Sequence, residues 1–239
     1  MTRILLINPN TSQATTDMMV AIAQAAAAHG IEIIGATARR GVPMILDAAA
    51  LTAAAAEVVQ IGIRHAGDVA GIIISAFGDP GLNCLRRKLD IPVVGIAEAA
   101  MIEAAANARR FGVATVTPDL ADPIKARVVA LGLGPLYTGI QLTEGDPKAL
   151  ADDPDRLVTA LADAVTRCIQ RDGAEAVAIG GGPLGNAATT LSKRFGIPVI
   201  APIPAAMRRL MAHLQNLTKK VGAPQISQAG VPPLDRSPR

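Results

Sequence analysis

Aromatic side chains are scarce in this sequence, which contains three phenylalanines, one tyrosine and no tryptophan among 239 residues. Proteins bind single-stranded nucleic acids by stacking bases on aromatic side chains, so this composition argues against such a surface. The formal net charge is only +3, and the lysines and arginines are scattered along the chain. Because nucleic-acid binding needs a concentrated basic surface, we expect no nucleic-acid partner.

Cysteine and histidine are scarce as well. Cys84 and Cys168 lie too far apart for the close pairs of a zinc site, and they suggest no disulfide framework. We interpret both as ordinary buried residues of helices. His29, His65 and His213 fall at helix ends or in the last helix, away from predicted strand ends. We therefore expect no metal site and a reducing, cytoplasmic compartment.

Long hydrophobic runs are missing too. No apolar stretch reaches the ~18 uninterrupted residues that a membrane-spanning helix requires. Residues 1–10 lead directly into a strand-like segment, without the basic region and cleavage site of a signal peptide. The sequence thus predicts no membrane partner.

Half of the residues are nevertheless hydrophobic, which suffices for a sizeable core. Short, continuous apolar runs alternate with alanine-rich helical stretches. This alternation predicts an α/β fold whose parallel strands are covered by helices on both faces. The predicted strands span 4–7, 31–36, 69–74, 93–96, 113–116, 176–179 and 199–200, with one more near 138–142 inside the ambiguous stretch 132–148. The predicted helices span 12–28, 48–65, 82–89, 98–108, 119–131, 155–171, 185–195 and 204–217.

An internal repeat divides the chain. Residues 91–101, which begin with Ile-Pro-Val and end in Met, are matched by residues 197–207, and residues 3–8 are matched by residues 110–115. We therefore expect two pseudo-symmetric lobes, each a parallel sheet flanked by helices, with an active-site cleft between them. Two copies are too few for a solenoid.

The repeat also suggests the domain limits. We expect lobe 1 to span residues 1–100 and lobe 2 to span residues 101–203. Helix 204–217 is predicted to pack back on lobe 1. The tail at 221–239 is rich in proline, glycine and polar residues, so it is predicted to be flexible.

Four loops follow predicted strands, where ligands of parallel α/β sheets bind. We name them loop A (8–12), loop B (75–81), loop C (115–119) and loop D (180–186). Loops C and D are the second-half counterparts of loops A and B. A small-molecule substrate is therefore expected where these loops converge.

Loops A and C offer amides and hydroxyls at a strand end. Asn8, Asn10 and Thr11 are candidate substrate-binding residues of loop A, the alternative being a turn in which Thr11 or the next serine caps a helix. In loop C, Thr117 is a candidate for binding and for acid/base catalysis. The alternative is that Thr117 or Asp119 caps the following helix.

Loop B combines backbone donors with polar side chains. The N–H groups from Ala76 through Phe77 to Gly78 are suited to hold an anionic or carbonyl oxygen. Ser75 and Asp79 are candidate acid/base residues, although a hydroxyl needs a partner to act at neutral pH. The structural alternative is that Asp79 caps the helix that follows it.

Loop D begins with three glycines, whose bare backbone allows close approach of a ligand oxygen. Gly181, Gly182 and Pro183 are the candidate binding residues here. No Gly-Lys-Ser/Thr follows, so loop D is not a phosphate-binding P-loop. A dinucleotide site is also disfavoured, because no acidic residue follows at the required distance.

The sequence resembles the hydantoin/allantoin racemase branch of the aspartate/glutamate racemase superfamily over roughly residues 1–215. The likeness lies in ILLINPNTS (4–12), FGDPGL (77–82), IPVVGIAEAA (91–100) and the strand, glycine loop and IPVI of 176–200. It implies two pseudo-symmetric lobes, no metal or organic cofactor, a small chiral substrate between the lobes, and a homo-oligomer.

The resemblance also implies a mechanism in which two cysteines, on opposite faces of the substrate, remove and replace a proton beside a carbonyl. The first cysteine of that pattern immediately precedes FGDPG, where this chain has Ala76. The second follows the glycine that ends the later strand, where this chain has Gly181. Neither residue can accept a proton, so two-thiol racemisation is not expected at these positions.

Three functions therefore stay open. The first is a cofactor-independent enzyme that acts on a hydantoin-like cyclic amide or a carboxylate, by decarboxylation, lyase or hydrolase chemistry, with backbone donors stabilising an oxyanion or enolate. The second is a hydantoin or amino-acid racemase by descent, with altered catalytic positions. The third is a non-catalytic protein that binds a small ligand in the same cleft.

Overall fold

The computed structural model describes residues 1–222, so the predicted flexible tail lies outside the described residues except for its first two positions, which are helical. The strands are β1 (Thr2–Asn8), β2 (Ile31–Thr37), β3 (Gly71–Ile74), β4 (Val93–Gly95), β5 (Phe111–Thr115), β6 (Tyr137–Leu142), β7 (Ala176–Ile179) and β8 (Val199–Ile200). The α-helices are α1 (Gln13–Ala25), α2 (Ala48–His65), α3 (Leu82–Lys88), α4 (Ile96–Ala104), α5 (Ala121–Ala130), α6 (Pro147–Ala151), α7 (Pro154–Gln170), α8 (Gly185–Leu191) and α9 (Pro202–Gly222).

The strands form two parallel sheets with the same internal order. The first sheet has the order β2-β1-β3-β4, and the second has the order β6-β5-β7-β8. Strand β3 is buried along its whole length, because helices cover both faces of a parallel sheet. The predicted α/β class with two similar, helix-flanked sheets is confirmed.

Some element limits differ from the prediction. Helix α4 begins at Ile96, directly after β4, rather than at residue 98, and it ends at Ala104 before a short 3-10 turn. Helix α8 ends at Leu191 rather than at residue 195. The short helix α6 was not predicted, although Asp146 caps it and Pro147 occupies its first position.

The two sheets share a hydrophobic core. One cluster of buried side chains contains Ile4 and Met19 from the first half together with Phe111 and Val113 from the second. Helix α9 returns to the first half and packs against β3, β4, α1 and α4. This packing fixes the strand ends of the two halves relative to one another. None of the described helices is long and apolar enough to cross a membrane.

A substitution at Leu210 tests the packing of α9 on the first sheet. It is fully buried, and a β-carbon on Gly71 of β3 would lie 2.8 Å from its Cδ1. We expect Leu210→Ala to lower the free energy of unfolding by about 2–5 kcal/mol, since it leaves a cavity. Leu217→Ala, on the same helix but 44% exposed, is the control and is expected to cost under about 1 kcal/mol. Equal losses in urea unfolding would contradict this packing.

Candidate active site

Loops of the two halves meet at the carboxyl ends of their sheets. Loops A and B follow the neighbouring strands β1 and β3, and loops C and D follow the neighbouring strands β5 and β7. Loops B and D approach each other at Gly182, where an added β-carbon would lie 2.7 Å from Met19 Sδ and 3.1 Å from Ser75 Oγ. The halves are therefore in contact at the candidate site, and glycine is needed there by close approach.

Unpaired backbone donors lie on both sides of this contact. Among the described residues, no backbone hydrogen bond uses the N–H of Ala76, Phe77 or Gly182. The carbonyl of Ala76 accepts from the N–H groups of Gly78 and Asp79, both at 3.0 Å, which closes a tight turn. Unpaired N–H groups in such a turn are suited to an anionic or carbonyl oxygen.

The turn of loop B rests on helix α2. Phe77 is buried, and a β-carbon added to Gly78 would lie 2.5 Å from a methyl carbon of Leu51. Ala76 is half-buried, as are Gly181 and Pro183 in loop D. Among the predicted binding residues of loop D, Gly182 is the one that the structure places against loop B, at Ser75.

The predicted hydroxyl catalysts have neutral partners. Ser75 Oγ donates to Met19 Sδ at 3.0 Å. Thr117 Oγ1 lies 3.2 Å from Thr115 Oγ1, which donates to the Gly180 carbonyl at 2.6 Å. Within residues 1–222, neither hydroxyl is hydrogen-bonded to a carboxylate or an imidazole, the partners that would allow it to exchange protons at neutral pH.

Asp79 is bound on both carboxylate oxygens. Its Oδ1 accepts from Ala97 N at 2.9 Å, and its Oδ2 accepts from Glu98 N at 2.8 Å and pairs with Arg127 Nε at 3.0 Å. The alternative that Asp79 caps the helix following it is wrong, because Gly81 is the N-cap of α3 and the Asp79 carboxylate caps α4 instead. This distant cap also explains why α4 begins directly after β4.

The environment of these carboxylates shifts their pKa values in opposite directions. Burial raises the pKa of Asp79 to about 6, although Arg127 and the two backbone N–H groups oppose the rise. Burial also acts to raise the pKa of Glu98, but Arg86, Arg127 and Arg209 outweigh it and hold that pKa below its usual range. Arg86 alone donates two hydrogen bonds to Glu98, at 2.9 and 2.7 Å.

Loop A uses its polar groups mainly for its own conformation. Asn8 is buried, and its Nδ2 donates to Asn10 Oδ1 at 2.8 Å and to the Ser12 carbonyl at 3.0 Å. Ser12, rather than Thr11, caps α1 by accepting from Thr15 N. Asn10 and Thr11 are half-buried and stay candidates for substrate binding.

Comparisons with known proteins decide the family. A family model described as Asp/Glu/Hydantoin racemase matches residues 4–210. The chain belongs to this racemase family. It is 33% identical over 209 residues to a hydantoin racemase of Paenarthrobacter aurescens, across 86% of this chain and 88% of that protein. Homologues with this name make the chain an enzyme of the racemase superfamily.

Solved structures agree with this assignment. An allantoin racemase from Klebsiella pneumoniae is 33% identical to this chain and superposes on it with a TM-score of 0.85. The match covers 91% of this chain and 89% of the Klebsiella protein. An allantoin racemase from Pseudomonas fluorescens, 24% identical, has a TM-score of 0.83. The match covers 99% of this chain and 100% of the Pseudomonas protein, and it shows that the two share a fold.

The cysteines of this racemase-family chain lie outside loops A–D. Cys168 is fully buried in α7, its Sγ lies 3.7 Å from the Val113 carbonyl, and burial raises its pKa to about 12. Cys84 in α3 is half-buried rather than buried. His213 lies on α9, where it lines a cavity of about 410 Å³ between α4 and α9, away from the four loops. Within residues 1–222, no cluster of three or more metal-ligating side chains occurs.

Sequence reasoning missed Arg127 and the role of Glu98. Arg127 lies in the last turn of α5, away from the loops that follow the strands, and its partner Asp79 is distant in the sequence. Glu98 falls inside the matched IPVVGIAEAA segment, but nothing local identifies its three arginine partners. No signal in a single sequence predicts these contacts.

A substitution at Gly182 tests the contact between loops B and D. Its replacement by alanine would press a methyl group against Met19 and Ser75. We expect Gly182→Ala to lower the free energy of unfolding by about 1–3 kcal/mol, as overpacking does. Gly196→Ala is the control, because nothing lies within 4 Å of a β-carbon there. Similar unfolding midpoints for both variants would show that the loops do not meet closely.

The raised pKa of Asp79 predicts a pH dependence of stability. Its pKa is about 6 in the folded protein against 3.8 as the reference, so the folded state binds the proton more tightly. The stability that Asp79 contributes is therefore full below pH of about 4 and is lost as the pH rises through about 6. We expect the difference in free energy of unfolding between the wild type and Asp79→Asn to fall by up to about 3 kcal/mol from pH 4 to 7. A difference that increases over this range would refute the assignment.

Proposed function

We propose that this enzyme binds a small hydantoin-like cyclic amide or a carboxylate between loops B and D and stabilises an enolate or oxyanion, without two-thiol racemisation. The observation that carries the proposal is the set of unpaired N–H groups at Ala76, Phe77 and Gly182, where the two halves meet. Backbone donors in such a site stabilise developing negative charge without reorganising. The hydantoin and allantoin racemases among the relatives support a cyclic amide as substrate class.

The absence of thiols at Ala76 and Gly181 limits the chemistry. Removing a proton from carbon needs a base, and the hydroxyls of Ser75 and Thr117 have only neutral partners. Asp79 is occupied by α4 and Arg127. Reactions that do not begin with proton abstraction are therefore favoured.

Decarboxylation is such a reaction. When a carboxylate is attached to the carbon beside a carbonyl, the electron pair of the breaking C–C bond moves into that carbonyl. Carbon dioxide leaves, an enolate forms, and water returns one proton to the carbon. The backbone donors would hold the enolate oxygen, and the same donors would serve C–N cleavage or hydrolysis of a cyclic amide.

A racemase with altered catalytic positions is the second candidate. The 33% identity with a hydantoin racemase favours it. This candidate requires a base other than a thiol at the site. Its family likeness also leads us to propose a homo-oligomer that acts in the cytoplasm without a cofactor.

Exchange of the α-proton separates the two candidates. We expect the wild type to show no exchange above the buffer rate when L- or D-5-benzylhydantoin is incubated in D₂O and followed by NMR, because positions 76 and 181 carry no thiol. The variant Ala76→Cys/Gly181→Cys is expected to gain weak exchange. A β-carbon at Gly181 would lie 3.0 Å from both Cδ1 and Cγ of Leu184, so the second thiol requires the Leu184 side chain to shift by a few tenths of an ångström.

Measurements of exchange on the wild type and on the double variant can each contradict the proposal. Clear exchange by the wild type would favour the racemase candidate. A double variant that folds, as judged by thermal unfolding, yet stays inert would show that these positions do not face the substrate. A panel of small malonate-type acids and lactams, assayed for release of carbon dioxide or ammonia, tests the reaction itself. Binding without release from any of them would indicate a ligand-binding protein instead.

A further inference from the structure

A buried group of charges crosses the junction of the two halves. Arg127 on α5 belongs to the second half, whereas its partners Asp79 and Glu98 belong to the first. Its Nε lies 3.0 Å from Asp79 Oδ2, and its Nη2 lies 2.8 Å from Glu98 Oε2. The Arg127 side chain is only 12% exposed, and the two carboxylates are 0% and 4% exposed.

The position of this contact relates it to the candidate site. Helix α5 follows loop C through a short 3-10 turn, and Asp79 ends the tight turn of loop B. We propose that Arg127 is a positioning residue that holds loop B in its site-forming shape across the two halves. This inference concerns the conformation of loop B. It rests on the proposed function only in taking the N–H groups of Ala76 and Phe77 to bind a substrate.

The conformation of Asp79 needs external support. Its φ of 53° lies in the left-handed region, which is unfavourable for residues other than glycine. Its carboxylate fills the space beside Gly95, where any side chain would overlap it. The contacts of its carboxylate to α4 and Arg127 supply this support from outside the turn.

Arg127 is the cation that Asp79 depends on. The charged groups that face Asp79 are Arg127 from α5 and Glu98 from α4. Arg86 from α3 and Arg209 from α9 bind Glu98 instead. Loss of Arg127 therefore leaves Glu98 with two guanidinium partners but leaves the buried Asp79 carboxylate without a cationic partner.

This asymmetry provides a matched control. Arg127→Gln and Arg209→Gln each remove one guanidinium from the same group of charges, but only the first removes a partner of Asp79. Amide hydrogen exchange of the full-length protein, resolved to peptides covering residues 75–81, reports on the turn. We expect Arg127→Gln to accelerate exchange there by at least about tenfold, while Arg209→Gln changes it by less than about threefold.

Two further readouts separate positioning from general destabilisation. Peptides from α7 are the internal reference and are expected to exchange alike in both variants. Arg127→Lys is expected to restore part of the protection, since an ammonium can reach one carboxylate. In the wild type, the protection factor of residues 75–81, corrected for intrinsic exchange, is expected to rise as the pH drops from 7 to 5, because the closed turn takes up a proton at Asp79 that the opened turn does not.

The proposal fails on any of three results. These are unchanged exchange at residues 75–81 in Arg127→Gln, equal acceleration in Arg209→Gln, or acceleration that extends equally to α7. If Arg127→Gln does not fold, Arg127→Lys compared with Arg209→Lys gives the same test on milder variants. The measurement uses no substrate, so its outcome is independent of whether the proposed function is correct.

Discussion

The geometry of the candidate site depends on charges that are buried where the two halves of the molecule meet. Two carboxylates and three guanidiniums converge there, and Arg127 is the member that spans both halves. Removal of such groups from water is costly, and the raised pKa of Asp79 shows that burial outweighs the opposing attraction of its partners. The net charge interaction at Asp79 therefore does not stabilise the fold at neutral pH. What it provides is a defined conformation of loop B.

The internal repeat makes the two halves similar but does not make their loops equivalent. In the first half, Gly95 leaves room for the Asp79 carboxylate at the start of α4. The matching position in the second half is Ala201, and loop D contains no acidic residue. Loop B is thus anchored by charge, whereas loop D is placed by the close approach of Gly182. A duplicated scaffold has acquired two different means of positioning backbone donors.

Most of the fold could be predicted from the sequence because its signals are local. Continuous apolar runs identified the strands, and the repeat of 91–101 at 197–207 predicted two sheets of one design. The loops at strand ends followed from the general behaviour of parallel sheets. The short helix α6 escaped because five residues carry too little periodicity to be recognised.

The site was harder to predict because its decisive contacts are distant in sequence. The segment Asp79-Pro80-Gly81 has the local pattern of a helix cap, yet the carboxylate caps a helix that begins beyond the next strand. Its charge partner lies still further along the chain, on a helix of the other half. Only the folded arrangement of the elements shows which of several local alternatives is adopted.

The return of α9 to the first half has a consequence for how the chain is made. Strands β3 and β4 are complete once residue 95 has been synthesised, but the helix that covers part of them ends the described sequence. Translation adds about 5–20 residues per second, so the strands of the first sheet are synthesised several seconds before the helix that covers part of them. During that interval its apolar surface is open to chaperones and to other nascent chains. The first half is therefore finished last, although it emerges from the ribosome first.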